Sequence, residues 1–265
     1  MKVVAFTYIL LMPLFGLASL TQTQINKGMS VQEIGPDSYL VRETTFSDQN
    51  ILVTKMSDGS VVVSSSPYDT VDTRELIQWI NEKLKPKKII TINTHFHSDG
   101  TGGNEAFHEA GAEIWANDIT DKLYRENAEK GKATEIKYFG NKPDLKARIE
   151  ARKVVFADHL IKAQTGKIFD FKGEKVVLKY PGPAHTIDNM VVYFPKRKII
   201  YGTCMVRAEN SLGYIGDSDV QSWAKSVQAI QDLEAKIVIP GHGDYGGPEL
   251  IKRTIQLAKE AATKK

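Results

Sequence analysis

The sequence predicts a single domain of the α/β class, built from two similar halves. Its 265 residues suit one large domain, and 42% hydrophobic with 25% charged residues is an ordinary globular composition. Apolar segments typical of buried strands alternate with segments of helical periodicity in both halves. No long linker separates the halves, and no short repeat or low-complexity segment interrupts them.

In the first half, strand-like segments are joined by turn signals such as Asp58-Gly59. Helices are predicted over 73–84, which Pro86 ends, and over 102–110. Strands are predicted over 39–42, 50–56, 61–63, 89–92 and 113–116.

Residues 117–150 are charged and rich in helix formers, which predicts a helical insertion of two helices broken around 140–143. The sequence leaves open whether this insertion roofs a site or only packs on the body. The second half then resembles the first, with helices predicted over 219–233 and from Pro248 to Ala262. Its strands are predicted over 176–180, 190–194, 199–201 and 237–239.

The N-terminus has the order of a secretory signal peptide. Lys2 supplies a positive charge, 3–17 is almost wholly apolar, and small residues follow at Ala18 and Ser19. We expect residues 1–19 to be removed, leaving a domain over 20–265 in the periplasm. The apolar run is short for a membrane span, so no stable membrane association is expected after cleavage, although an uncleaved anchor is the alternative.

Charge and cysteine content narrow the function. A net charge of +3, with basic residues scattered along the chain, does not favour nucleic-acid binding. The single cysteine, Cys204, has no partner for an internal disulfide. It is therefore either a small buried hydrophobic residue or a group with a chemical role.

The main chemical signal follows the strand predicted over 89–92. His95 and His97 alternate along an extended chain and can point the same way, and Asp99 comes at the turn after them. Imidazole nitrogen and carboxylate oxygen are zinc ligands. The ends of strands are also where α/β folds place ligands, so this segment is a candidate metal site.

Three more candidate ligands, His185, Cys204 and His242, follow other predicted strands. Four strand ends that each deliver such residues favour a metal site over isolated structural histidines. His108, in a predicted helix, and His159, in a polar segment, are interpreted as ordinary structural residues.

These motifs resemble the metallo-β-lactamase superfamily, and within it the subclass B1 zinc β-lactamases, over about 34–259. The resemblance implies an αββα sandwich of two mixed β-sheets flanked by helices, with metals in a groove along one edge. The segments that carry it are His95-Phe96-His97-Ser98-Asp99, the run GPAHTIDN at 182–189, the run GTCMVR at 202–207, and Pro240-Gly241-His242-Gly243.

The resemblance also implies two Zn²⁺ per chain and a monomer. The first zinc site would consist of His95, His97 and His185. The second would consist of Asp99, Cys204 and His242. Relatives that hydrolyse thioesters or nucleic acids usually carry aspartate where Cys204 stands and histidine where Gly100 stands, so both positions favour the lactamases.

The function implied is hydrolysis of the β-lactam amide of penicillins, cephalosporins and carbapenems by a metal-bound hydroxide, which confers antibiotic resistance. Asp99 would orient the hydroxide, and Arg207, where the subclass usually has lysine, would grip the substrate carboxylate. Tyr214 stands where an asparagine often helps to hold the oxyanion. Phe46 lies in a loop resembling the flap that covers substrate.

Two departures concern the surroundings of the ligands. Gly100 stands where arginine is usual and Ser65 where aspartate is common, which puts substrate preference in question more than reaction type. The alternatives are another hydrolase of the same fold, acting on a thioester, lactone or phosphodiester, and a non-enzymatic zinc protein. Two sites with three protein ligands each leave positions open for water and substrate, which favours catalysis.

Overall fold

The computed structural model describes residues 22–264. The predicted signal peptide, residues 1–19, lies outside this range. Within the range, thirteen strands and seven α-helices alternate along the chain. No helix among the described residues is both long and apolar enough to cross a membrane.

The first sheet contains eight strands that lie side by side in chain order. Strands β1 to β5 pair antiparallel, whereas β5 to β8 pair parallel, so the sheet is mixed. Its strands are β1 Gln22–Asn26, β2 Met29–Gly35, β3 Ser38–Glu43, β4 Gln49–Lys55, β5 Val61–Ser64, β6 Ile89–Ile92, β7 Glu113–Asn117 and β8 His159–Ile161.

The second sheet has five strands in the order β13-β12-β11-β10-β9. Only the pair β12–β13 is parallel among these strands, so this sheet is mixed as well. Its strands are β9 Lys167–Phe171, β10 Glu174–Lys179, β11 Val191–Phe194, β12 Ile199–Tyr201 and β13 Ile237–Ile239.

Helices cover the outer face of each sheet. A single 3₁₀ turn, Thr203–Met205, follows β12. The α-helices are α1 Thr70–Leu84, α2 Ser98–Thr101, α3 Asn104–Glu109, α4 Asp118–Phe139, α5 Pro143–Ala151, α6 Val220–Gln228 and α7 Glu249–Ala262.

Alternation along the strands creates three apolar layers, because successive side chains point to opposite faces of a sheet. Val41 and Val63 pack against α1 and α3, whereas Leu40 and Val62 face the second sheet. On the far side of the second sheet, Trp223 and its neighbours cover β11 and β12. The layers confirm the predicted αββα sandwich of two mixed sheets.

Some element boundaries differ from the predictions. The helix predicted over 102–110 begins only at Asn104, because Gly102 caps the end of the preceding short helix, Ser98–Thr101. Helix α6 ends at Gln228, earlier than predicted. The sequence also missed strands β1, β2, β8 and β9, three of which lie at sheet edges where exposed polar residues weaken the apolar pattern.

Two helices occupy the charged segment 117–150. Asn117 begins α4 by accepting a hydrogen bond from the backbone N–H of Thr120 at 2.8 Å, and α5 begins with Pro143. Phe139 and Ile149 are buried against the rest of the chain. The segment therefore packs on the body of the sandwich, and it also reaches the groove described below.

Candidate active site

The candidate ligands gather at one end of the sandwich. Strands β6, β12 and β13 end at Ile92, Tyr201 and Ile239, a few residues before His95, Cys204 and His242 respectively. Because the parallel strands β12 and β13 end at the same edge, their following residues meet there. His185, after β10, lies at this edge as well.

The six side chains form three overlapping groups in which the candidate ligand atoms lie within 4.8 Å of one another. The structure therefore brings together all six residues that the sequence singled out. The groups are His95 with His185 and Cys204, His95 with His97 and Asp99, and Asp99 with Cys204 and His242.

Asp99 lies at the centre of this cluster. Its Oδ1 is 3.1 Å from His95 Nε2, and its Oδ2 is 3.0 Å from Cys204 Sγ and 3.2 Å from His242 Nε2. The imidazoles of His95, His97 and His185 pack edge to face, with ring centroids 5.1 to 5.6 Å apart. One carboxylate thus links the histidine cluster to the cysteine.

The donor atoms fit a metal ion. His97 Nδ1 and His185 Nε2 face each other at 3.3 Å, and the buried Nε2 of His95 lies 3.1 Å from the carboxylate of Asp99. Such a convergence of imidazole nitrogens and a carboxylate is what a metal site needs. Imidazole, carboxylate and thiolate together are a donor set that zinc accepts.

Electrostatics favours the ligand forms of the acidic groups. Burial lowers the pKa of His95 and His242, but the charges of Asp99 and Cys204 outweigh burial and raise both pKa values well above normal. Burial raises the pKa of Asp99, yet His95 and His242 hold it well below its usual range. The pKa of Cys204 is lowered by the same two imidazoles, against burial and Asp99. Carboxylate and thiolate are the forms that bind metals.

Two hydrogen bonds that the sequence did not predict orient the histidines. His97 Nε2 lies 2.9 Å from Asp217 Oδ2, and His242 Nδ1 lies 2.5 Å from the backbone oxygen of Asp48. Since these oxygens accept, the ring nitrogens facing them carry the hydrogen, and the opposite nitrogens face the cluster. Asp217 follows Tyr214 closely in sequence, but an isolated acidic residue in a loop is no signal for this role.

Backbone packing around the ligands explains the residues that depart from the family pattern. A Cβ at Gly100 would lie 2.4 Å from the backbone oxygen and 2.9 Å from Nδ1 of His95, so no side chain fits there unless His95 moves. Ser65 has a positive φ of 77°, and its hydroxyl donates to the backbone oxygen of Asp99. Gln49 donates to the same oxygen at 2.7 Å.

The cluster opens into a groove of about 350 Å³. His97, Asp99, His185 and His242 line its floor, and α4 contributes one wall. Such a volume suits a small organic molecule. The arrangement therefore combines candidate metal ligands with space for a substrate.

Tyr214 lies at the mouth of this groove. Its ring centroid is 6.0 Å from that of His97 and 6.4 Å from that of His185, and its hydroxyl helps to lower the pKa of Asp217. The residue is 62% exposed. It is close enough to contact a molecule in the groove.

Arg207 is placed differently from the expectation for a carboxylate-binding residue. Its Nε donates to the backbone oxygen of Ser211 at 3.0 Å, and its Nη2 lies 3.1 Å from Glu209 Oε2. The side chain is 7% exposed and is not part of the groove lining within residues 22–264. Its charge is thus already paired within its own loop.

Phe46 does not form an exposed flap, which corrects the prediction for this residue. It is 8% exposed, stacks on Tyr68 at 5.6 Å and packs edge to face on Phe139 at 5.4 Å. Phe139 and Ile149, from α4 and α5, bury this ring. Helices α4 and α5 therefore bury the tip of the β3–β4 loop.

Comparison with known proteins agrees with this fold and site. The model of the metallo-β-lactamase superfamily matches residues 59–242. The chain is 31% identical over 242 residues to a metallo-β-lactamase type 2 of Bacillus cereus, covering 89% of this chain and 82% of that protein. It is 30% identical over 198 residues to a metallo-β-lactamase type 2 of Pseudomonas aeruginosa, covering 73% and 67% respectively.

A solved structure gives the same result. The DIM-1 metallo-β-lactamase exposed to ceftazidime superposes with a TM-score of 0.71 at 27% identity, covering 88% of this chain and 98% of that chain. The family match spans more than half of the sequence and includes all six candidate ligands, with His242 as its last residue. On this basis the chain belongs to the metallo-β-lactamase superfamily.

Proposed function

We propose that this protein is a zinc-dependent hydrolase of the β-lactam amide bond that acts on penicillins, cephalosporins and carbapenems. The observation that carries the proposal is the meeting of six zinc-type ligands beside a groove of about 350 Å³, four of which line its floor. Relatives named metallo-β-lactamase type 2, at 30–31% identity, support the same activity.

We assign two zinc ions to the six side chains. His95, His97 and His185 would hold one, and Asp99, Cys204 and His242 the other. When bound, zinc supplies a nucleophile at neutral pH by lowering the pKa of water from 15.7 to about 7, and it polarises a carbonyl.

Asp99 and Tyr214 have separate roles in this proposal. Asp99 is held through its backbone oxygen by Gln49, and its carboxylate stays ionised, so it can orient the attacking water by accepting a hydrogen bond. Tyr214 is exposed at the mouth of the groove, so we assign it to substrate contact, and its predicted part in holding the oxyanion stays a prediction.

The cellular setting is part of the proposal. The signal-like order of residues 1–19 supports export to the periplasm followed by cleavage, leaving a monomer without stable membrane association. There the enzyme would meet β-lactams and confer resistance. N-terminal sequencing of the exported protein and its mass in solution test these points.

The test of function is hydrolysis of a penicillin, a cephalosporin and a carbapenem by the mature protein. Turnover should require zinc, disappear with a chelator and return when zinc is restored. Metal analysis should give two zinc ions per chain. If zinc binds but no lactam is hydrolysed, while a thioester, lactone or phosphodiester is, the chain is another hydrolase of this fold.

A further inference from the structure

Helix α4 presents one continuous face to the groove. The residues on this face recur at intervals of three and four, which places them on the same side of a helix. They include small side chains, which leave room for a ligand. The α4 residues lining the groove are Tyr124, Asn127, Ala128, Lys130, Gly131, Thr134 and Glu135.

The helix is fixed against the site by Glu135. One carboxylate oxygen of Glu135 accepts a hydrogen bond from Ser98, which lies between the ligands His97 and Asp99, and the other lies 2.9 Å from Arg152 Nη2. Arg152 also donates to the backbone oxygen of Tyr68 at 2.6 Å. These contacts hold the α4 wall at a defined distance from the ligands.

Lys130 is the only lysine or arginine in the lining of this groove within residues 22–264. No carboxylate in that range lies within 4.0 Å of its ammonium group. The carboxylates of the lining have other partners, since Asp99 faces the metal ligands, Glu135 binds Arg152 and Asp217 binds His97.

Lys130 shares this groove with two of the residues described above. Tyr214 and Asp217 line it as well, and the candidate ligand His97 forms part of its floor. An anionic group bound by Lys130 would therefore lie in the same groove as the ligands.

Arg207 does not compete for this role, because Glu209 and the backbone of Ser211 already occupy its guanidinium. We propose that Lys130, on α4, binds the carboxylate of the β-lactam substrate. This inference rests on the proposed function, and it makes Lys130 a residue that determines specificity for anionic substrates. A lysine does so as a flexible point charge.

The test compares benzylpenicillin with its methyl ester, which lacks the negative charge. Dissociation constants are measured by NMR titration of the chelator-treated protein, which lacks the zinc proposed for hydrolysis, and KM and kcat are measured with the zinc-loaded protein. The variants are Lys130→Gln, Lys130→Arg and, as a control on the same helix, Lys122→Gln. Lys122 is exposed and lies outside the groove lining.

We expect the wild type to prefer the acid to the ester, and Lys130→Gln to reduce that preference roughly tenfold by weakening binding of the acid alone. KM for the acid should rise with little change in kcat. Lys130→Arg should keep most of the preference, and Lys122→Gln all of it.

Equal binding of acid and ester by the wild type, or a preference that survives in Lys130→Gln, would overturn the assignment of Lys130. The proposed function is judged separately, because it fails only if the zinc-loaded wild type hydrolyses no β-lactam. The binding comparison still decides the role of Lys130 in that case.

Discussion

The two ends of the sandwich hold their buried nitrogen groups differently. At the end away from the ligands, Arg197, in the turn after β11, reaches across to the first sheet. Its Nε donates to Glu174 Oε1 at 2.7 Å, and its Nη2 donates to the backbone oxygen of Lys55 at 2.7 Å. Its Nη1 donates to Ser38 Oγ at 3.0 Å and to the backbone oxygen of Pro36.

At the ligand end, a buried imidazole nitrogen lacks such partners. His185 Nδ1 is buried without a hydrogen bond among the described residues. Paired polar groups stabilise a fold, whereas buried groups left unpaired cost free energy until a ligand satisfies them. The comparison therefore separates a structural end from a binding end, and each can be changed alone.

The largest expected effect is on stability, at the structural end. Arg197→Ala leaves the carboxylate of Glu174, which is 4% exposed, without its cation, and should lower the free energy of unfolding by about 3 kcal/mol or more. Hydrolysis by the folded fraction should be unchanged. Urea unfolding measures the first effect and kcat/KM the second, with exposed Lys196→Ala in the same turn as control. If Arg197→Ala lost activity without losing stability, the separation of a structural end from a binding end would be contradicted.

Next in size is a change at the binding end. Gly241→Ala would place a Cβ 2.5 Å from Cys204 Sγ and 2.8 Å from its backbone nitrogen, so the thiol must move. We expect kcat/KM and zinc content to fall, with activity down about 10–100-fold. Gly35→Ala is the matched control, because the nearest atom to the new Cβ is 4.0 Å away. Unchanged zinc binding in Gly241→Ala would refute the placement of Cys204.

A smaller loss is expected from Asp217→Asn. The amide keeps the size of the side chain but removes the charge that orients His97 and strengthens its basicity, so zinc affinity should fall by about tenfold. Competition with a chelating dye measures the affinity. Asp232→Asn, an exposed acid elsewhere, should have no effect. If both variants bind zinc equally well, Asp217 does not support the site.

The smallest expected effect is a pH dependence of stability that arises at the structural end. Burial raises the pKa of Glu174, but hydrogen bonds from Ser57 and Arg197 outweigh it and lower that pKa below its normal value. A carboxyl with a lowered folded pKa stabilises the fold fully above its unfolded pKa of about 4.3, and loses this contribution as the pH falls through the folded pKa.

Unfolding free energies of the wild type and Glu174→Gln, measured against pH, test this. Their difference should be constant from neutral pH down to about 5 and shrink below the unfolded pKa of about 4.3. A difference in unfolding free energy that grows on acidification would show that folding does not lower the pKa of Glu174.

The sequence predicted most of the binding end because its residues follow strands directly. His95, Cys204 and His242 each come a few residues after a short apolar run, so local pattern was enough to locate them. The break between α4 and α5 was also local, since Pro143 begins α5. Edge strands such as β8 and β9 were missed because exposed positions carry polar residues.

What local pattern could not supply was contact between distant segments. Phe46 was predicted as a flap, but its partners Phe139 and Ile149 come from helices far along the chain. The pairing of Arg207 with Glu209 involves residues two apart, yet charge alone cannot tell a paired arginine from one that faces a groove. The hydrogen bond between Asp217 and His97 is equally non-local.

The attachment of α4 through Glu135 has a thermodynamic consequence. A groove wall that is ordered during folding does not lose conformational entropy again when a ligand enters, whereas a loop that closes over its ligand does. Association should therefore carry a small entropic penalty, and the fixed width between α4 and the ligands should select molecules by their size. We therefore expect the protein to exclude molecules that are wider than the groove, because the groove does not widen to admit them.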